Sequence, residues 1–184
     1  MRLAEVLDVI EWLLAAAGHP EIGAIGRYGT DPVAGGPSPA GVRVRYASGA
    51  EAYLWGAVWP REYELPTPAE LPWPARADRI AVFTCRLLDA ARPAEFRGWQ
   101  LVALDGLGPA DARSKAPRGI RVVAADGTSL LLRATASGAP MPEPAADPYP
   151  GYVIPETLSV RLLSRKAGAQ PPDMEAPVPS LVAR

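Results

Sequence analysis

The sequence predicts an α+β fold made of two tandem helix–strand–β-hairpin repeats, which together form a pseudo-symmetric domain with an antiparallel sheet. Three observations predict it: an ungapped internal similarity, an amphipathic helix ahead of each similar segment, and prolines clustered between the blocks. With 184 residues, 48% of them hydrophobic, the chain is long enough to bury a core. A short C-terminal strand and proline-rich connectors complete the prediction.

An amphipathic first helix is predicted from the spacing of apolar residues. From Leu3 to Ala17 they recur every three or four positions and form one stripe, and Pro20 follows the end of the helix. Trp12 lies nearly opposite Leu3, on the side that a helix packed on one face exposes to water. We expect either a second layer of the fold or a partner to cover this ring.

A hairpin is predicted in each similar segment. Residues 41–57 align without a gap on residues 119–135, and both segments alternate β-forming residues around a central Gly, Gly49 or Gly127. The dipeptides Ser-Gly and Asp-Gly at these positions predict two-residue turns. In the first hairpin such a turn places Val44 opposite Tyr53. The predicted buried face then carries Val42, Val44, Tyr46, Tyr53 and Trp55, and the mixed face carries Arg43, Arg45, Ala52 and Leu54.

The second helix and the strand before each hairpin are predicted from shorter patterns. The helix is expected to begin after Asp78 as N-cap and to leave Arg79 outside its apolar stripe. Apolar pieces at 22–25 and 99–104 predict one strand ahead of each hairpin. A further short strand is expected at 158–163.

Clusters of proline predict the connectors. The tail contains turn formers and few large apolar residues, so we expect it to be disordered. The predicted units are a first repeat at 1–59, a proline-rich bridge at 60–76, a second repeat at 77–136, a proline-rich segment with a short strand at 137–166, and the tail at 167–184.

Composition and charge exclude several classes of site. The formal net charge of −1 lacks the basic excess of proteins that bind nucleic acid by neutralising phosphates. A single Cys and a single His exclude a disulfide framework and any metal centre built from several of these residues. Acidic residues at Glu5, Asp8 and Glu11 interrupt the apolar N-terminal stretch, so neither a signal peptide nor a membrane span is predicted. We expect a cytoplasmic protein.

No catalytic, cofactor-binding or metal-ligating residues are predicted. His19 follows the first helix and is expected to cap its carbonyl groups. Cys85 on the second helix is expected to be a small hydrophobe, and Glu62 and Glu64 to be solvated charges. The glycines near Gly26 match no phosphate-binding motif.

The sequence favours a non-enzymatic binding or assembly protein, whose partner is another protein or a second copy of the chain. Large aromatic residues in stiff, proline-rich connectors can anchor a partner at a low entropic cost. The first alternative is a nucleic-acid-associated accessory protein that uses two arginines and the connector aromatics. The second is an enzyme without local motifs, identifiable by a deep pocket with convergent polar groups. The candidate partner-binding residues are Trp12, Arg43, Arg45, Trp59, Tyr63 and Trp73.

Overall fold

The computed structural model describes residues 1–29, 40–57, 62–72, 75–104, 118–137, 146–160 and 162. Trp59, Trp73 and the predicted tail lie outside these residues. In chain order the elements are α1 (Leu3–Ala17), β1 (Ile22–Tyr28), β2 (Gly41–Tyr46), β3 (Glu51–Ala57), β4 (Tyr63–Glu64), α2 (Arg76–Ala91), β5 (Phe96–Ala103), β6 (Arg118–Ala124) and β7 (Ser129–Ser137). Within this part of the chain, no helix is long and apolar enough to cross a membrane.

The seven strands form one open antiparallel sheet with the order β1-β2-β3-β7-β6-β5-β4. Both helices contact the sheet and each other, and their apolar sides share one core with alternate residues of the strands. Because side chains alternate along a strand, the other residues form a second face, called the outer face below. The α+β class predicted from the sequence is confirmed.

A helix followed by three antiparallel strands occurs twice in chain order. We call β1–β3 the first unit and β5–β7 the second unit. In each, the ladder between the first two strands has an irregularity near its start, between Ile22 and Ala24 or between Phe96 and Gly98. The units meet where β3 pairs with β7.

Each hairpin has a three-residue loop instead of the predicted two-residue turn. The N–H of Gly49 donates to the carbonyl of Tyr46 over 2.9 Å, and the N–H of Tyr46 donates to the carbonyl of Ala50 over 2.8 Å. Gly49 and Gly127 have φ values of 81° and 86°, which only glycine adopts freely. This is the geometry of a turn followed by a glycine bulge. The tip positions are as predicted, but the turn type is not.

The extra loop residue shifts the register of the first hairpin by one position. Val44 faces Ala52, and Val42 faces Leu54. A one-residue shift moves every side chain of a strand to the other face. The predicted core face is therefore correct for Val42, Val44 and Tyr46. It is wrong for Tyr53 and Trp55, which lie on the outer face with the arginines of β2.

More of the surface of α1 is buried than the predicted apolar stripe. It ends at Gly18, whose φ of 60° gives the left-handed conformation common after a helix. Trp12 is only 7% exposed, because α1 packs against α2 as well as against the sheet. The fold itself therefore covers this ring, which is the first of the two expected outcomes, and Trp12 is not part of the surface proposed below.

The second helix begins at Arg76, earlier than predicted. Ala75 is its N-cap, and Asp78 lies in the first turn, where a carboxylate interacts favourably with the helix dipole. Arg79 is buried, with 2% exposure, instead of lying outside the apolar stripe. It forms an ion pair with Glu21, which precedes β1.

Two predictions for the connectors are also corrected. Residues 158–160 and 162 are helical instead of a strand. Leu158 and Leu162 are buried and Val160 is 62% exposed, which fits the four-residue spacing of a helical face. Within the predicted bridge, Tyr63–Glu64 forms strand β4 on the edge of β5.

Candidate functional site: the outer face and the His19 cleft

Two arginines are exposed on the outer face of the first unit. Arg43 and Arg45 occupy alternate positions of β2, so they point to the same side of the sheet. Their side chains are 56% and 64% exposed. Both lie near the carboxylate of Glu51, with N–O distances of 3.9 and 3.7 Å. Because one carboxylate serves two guanidinium groups, this part of the face keeps a positive charge.

Aromatic rings lie beside the arginines on the same face. The rings of Tyr28 and Tyr53 are 5.7 Å apart and nearly perpendicular, an edge-to-face contact. Tyr28 reaches across β2 because Gly41 has no side chain: a Cβ there would collide with the phenol group. Burial, and to a lesser extent Tyr53, raises the pKa of Tyr28 to about 12, so this phenol is neutral at physiological pH.

Trp55 connects this surface to the centre of the sheet. Its indole N–H donates to Oγ1 of Thr135 over 3.1 Å, and the guanidinium of Arg133 lies 5.5 Å from the ring centroid. Both contacts cross from β3 to β7. They hold the half-buried ring in one orientation with its polar group satisfied.

We call Tyr28, Arg43, Arg45, Tyr53 and Trp55 the aromatic–arginine surface. Sequence reasoning identified the two arginines but assigned Tyr53 and Trp55 to the core, because it assumed the wrong turn. The relevant signal was the small and aliphatic pair that alternates with these rings, Ala52 and Leu54, which are both fully buried.

The outer face of the second unit is covered. Val102, Leu104 and Leu131 form a buried apolar cluster there, none of them more than 2% exposed. Arg121 forms ion pairs with Glu62 and Glu64, at 3.0 and 2.9 Å. The expectation of a solvated charge is therefore wrong for Glu62, whose side chain is only 11% exposed, whereas Glu64 is exposed as expected and also pairs with Arg121.

A separate cleft of about 830 Å³ opens beside the end of α1. Its walls come from residues 68–72, from α2 and from residues 146–154, which are far apart in the chain. His19 lies at the base and is only 4% exposed. Its Nδ1 accepts a hydrogen bond from the N–H of Glu21 over 3.2 Å, so the neutral ring carries its hydrogen on Nε2. Nε2 is buried and has no hydrogen-bond partner among the described residues.

Aromatic rings surround the imidazole. The centroids of Tyr152, Phe83 and Tyr149 lie 4.3, 5.1 and 5.9 Å from that of His19. Burial lowers the pKa of His19, while Asp147 acts to raise it and Arg79 to lower it. The predicted capping role of His19 is not observed. Instead, the hydroxyl of Tyr152 donates to the carbonyl of Ala17 over 2.8 Å.

A buried ion pair lies beside His19, outside the lining of the cleft. An oxygen of Glu21 lies 2.7 Å from a guanidinium nitrogen of Arg79, whose side chain is 2% exposed. The guanidinium also lies 4.6 Å from the ring centroid of Tyr46. Breaking such a buried pair is costly because it leaves an uncompensated charge. The pair therefore fixes α2 against the start of β1.

The described residues offer neither a metal site nor a reactive thiol. They include no cluster of three metal-binding side chains. The residues that line the cleft contain no Ser, Thr or Cys nucleophile. Cys85 is buried elsewhere in the core, and burial raises its pKa to about 12, which leaves the thiol protonated and unreactive.

The candidate residues predicted from the sequence do not form one site. Arg43 and Arg45 lie together, whereas Tyr63, 52% exposed, lies on β4 at the opposite edge of the sheet. Trp59 and Trp73 stay predictions, because they lie outside the described residues.

Comparison of the chain with models of protein families, with curated proteins and with solved structures finds no match.

Proposed function

We propose that this chain is a non-enzymatic binding protein whose macromolecular partner docks on the aromatic–arginine surface. The observation that carries the proposal is the exposure of Arg43 and Arg45 beside Tyr53 and Trp55 on a rigid sheet. Arg, Tyr and Trp are the residues that most often dominate binding energy at protein interfaces. A sheet also presents them with little loss of conformational freedom on binding.

The proposal includes an origin of the fold by tandem duplication. Residues 41–57 and 119–135 are similar without a gap, and the ladder between β3 and β7 supports the same equivalence. Under that alignment Trp55 corresponds to Arg133, and these two residues face each other across the ladder. A pseudo-twofold axis between them would relate the two units.

The test is the recovery of a native complex with charge-reversal variants. Tagged full-length protein is purified from its own cells, and co-purifying proteins are quantified against Arg43→Glu, Arg45→Glu and the control Arg97→Glu. Arg97 is an exposed arginine on β5, outside the aromatic–arginine surface. We expect a partner whose recovery falls at least tenfold with the first two variants and is unchanged with the third. Equal recovery with all three variants would refute the proposal.

Nucleic-acid binding is the second candidate function, favoured by aromatic rings and arginines on one antiparallel sheet. The net charge of −1 and the contact of both arginines with Glu51 weigh against it. Fluorescence anisotropy with a labelled single-stranded oligonucleotide discriminates the two. Binding that weakens steeply with salt and depends on Arg43 and Arg45 would favour nucleic acid.

The His19 cleft favours a third, small-molecule role, because a buried imidazole, Arg86 and Asp147 converge on an aromatic-lined space. A ligand there would be recognised by the Nε2–H donor of His19. Thermal-shift screening of metabolites against the wild type and His19→Gln tests this role. A stabilising ligand that loses its effect in the variant would favour it over macromolecular binding alone.

A further inference from the structure

The outer edge of β1 is open in the part of the chain that the structure describes. Its only described neighbour is β2. In an antiparallel ladder, backbone groups point alternately to the two sides. The hydrogen-bonded pairing of Tyr46 with Ala50 directs the backbone groups of Arg43 toward β1. Gly26 therefore pairs with β2, and the N–H and C=O groups of Ile25 and Arg27 point to the free edge.

The matching edge of β5 shows what such an edge accommodates. There, β4 adds an antiparallel strand, with Tyr63 opposite Ala103 and Glu64 opposite Val102. The N–H of Leu65 extends the pairing by donating to the carbonyl of Leu101 over 2.9 Å. Since the irregularity lies at the same place in both ladders, Leu101 corresponds to Arg27 of β1.

The charged side chains beside the two edges also correspond. On β6, Arg121 lies opposite Gln100 and pairs with Glu62 and Glu64 of the added segment. The residue aligned with Arg121 is Arg43, which lies opposite Gly26. A Cβ at Gly26 would have no atom within 4 Å, so the space beside Arg43 is open.

We infer that the edge of β1 binds an extended segment of a partner protein, added as an antiparallel strand, with two acidic residues at alternate positions. Main-chain hydrogen bonds to Ile25 and Arg27 supply the pairing, and the carboxylates pair with Arg43 as those of Glu62 and Glu64 pair with Arg121. This inference rests on the proposed function, for which it names the chemistry of the partner.

A second copy of β1 is a poorer occupant of this edge. The strand has the sequence IGAIGRY and contains no acidic residue. Two β1 strands side by side would bring the arginines of two copies onto one surface, where like charges repel. Nucleic acid offers no peptide backbone to continue the ladder. An acidic extended segment satisfies both the backbone and the arginines.

The probe is a capped synthetic peptide with the sequence of residues 62–68, EYELPTP, and its control is the charge-reversed peptide KYKLPTP. Each is titrated into the ¹⁵N-labelled full chain and followed by amide chemical shifts. We expect the acidic peptide to shift the amides of Ile25 and Arg27 and to bind at least tenfold more tightly than the basic one. Arg43→Glu should reverse this preference, and Arg97→Glu should leave it unchanged.

Three results would overturn the inference. The first is that the amide chemical shifts of β1 stay unchanged at millimolar peptide. The second is that the shifts are confined to β5, because the peptide displaces β4. The third is that the chain associates with itself through β1, in a concentration-dependent way, without peptide. Dispersed amide spectra of both variants establish that they are folded. If native partner recovery depends on Arg43 while β1 does not respond, the proposed function stands and this inference fails. If partner recovery does not depend on Arg43 and β1 does not respond to the peptide, both the proposed function and this inference are refuted.

Discussion

Gly41 and Gly119 occupy matching positions in the first and second units, and different side chains lie over them. The phenol of Tyr28 crosses Gly41, whereas Cδ1 of Leu104 would lie 2.9 Å from a Cβ at Gly119. In the first unit the crossing ring meets Tyr53, and both remain partly exposed. In the second unit the side chain of Leu104 clusters with Leu131 and is fully buried.

The two units share their backbone arrangement and differ in the side chains that it carries. Both units have the same ladder, the same loop type and a buried core face. They differ on the outer face and at the edge, where the second unit is covered by aliphatic residues and by β4. Under the proposed function, the second unit contributes mainly to stability and the first provides the binding surface. The mutations of the outer face, the loops and the arginines below change matched residues in the two units.

The largest difference is expected from truncations on the outer face. Leu131→Ala should destabilise the fold by about 2–5 kcal/mol, because it opens a cavity in a buried cluster. Tyr53→Ala, at the matching position, should cost about 1 kcal/mol, since its ring is only half-buried. Chemical denaturation of both variants measures the difference. Leu54→Ala and Leu132→Ala, a matched and fully buried core pair, serve as controls and should cost similar amounts. Equal losses for Leu131 and Tyr53 would contradict the assignment.

The loops test the shared part of the comparison. Gly49→Val and Gly127→Val should each destabilise by about 1–3 kcal/mol, because a β-branched residue resists φ values near 80°. Nothing within 4 Å opposes an added Cβ at either position, so the cost is conformational. Thermal unfolding gives the two values. A loss at one loop without the other would mean that the loops are not equivalent in solution.

The elements could be predicted where local spacing determines them. The stripe from Leu3 to Ala17 predicts α1 within a residue or two, because an amphipathic helix is encoded locally. The glycines locate both hairpin tips. The register could not be predicted, since Ser-Gly and Asp-Gly also suit a three-residue loop whose bulge residue is Gly. That single choice inverted the faces of Tyr53 and Trp55.

Features that depend on distant contacts were missed for a different reason. The bridge contains β4 because β5 offers an unpaired edge there and Arg121 pairs with Glu64, neither of which is visible from proline content. Burial of Arg79 requires Glu21, which is far from it in the chain. The His19 cleft likewise brings three distant segments of the chain to His19, and no local pattern indicates that they meet.

The pH dependence of stability should come in part from His19. Its pKa is lowered from 6.5 in the folded state, mainly by burial, so below about pH 6.5 the unfolded chain binds more protons. The contribution of His19 to stability should therefore be fully present above this pH and decrease as the pH drops below it. His19→Gln should remove that part of the dependence between pH 7.5 and 5.5 in thermal unfolding. Asp147→Asn, which removes the group that raises this pKa, should make the loss steeper.

The smallest effects are expected from the matched arginines. Arg121→Gln removes the cation that pairs with both Glu62 and Glu64, and its side chain is only 31% exposed, so we expect a loss of about 1 kcal/mol. Arg43→Gln should change stability by less than about 0.5 kcal/mol, because the side chain is 56% exposed and its single carboxylate lies at 3.9 Å.

Denaturation of both arginine variants at low and high salt measures this difference. Salt should reduce the effect at Arg121, where attraction contributes, and leave Arg43 unaffected. A larger loss at Arg43 than at Arg121 would show that Arg43 stabilises the fold. An exposed arginine without a stabilising role is available to a partner. For Arg43, binding of the acidic peptide measures this availability directly.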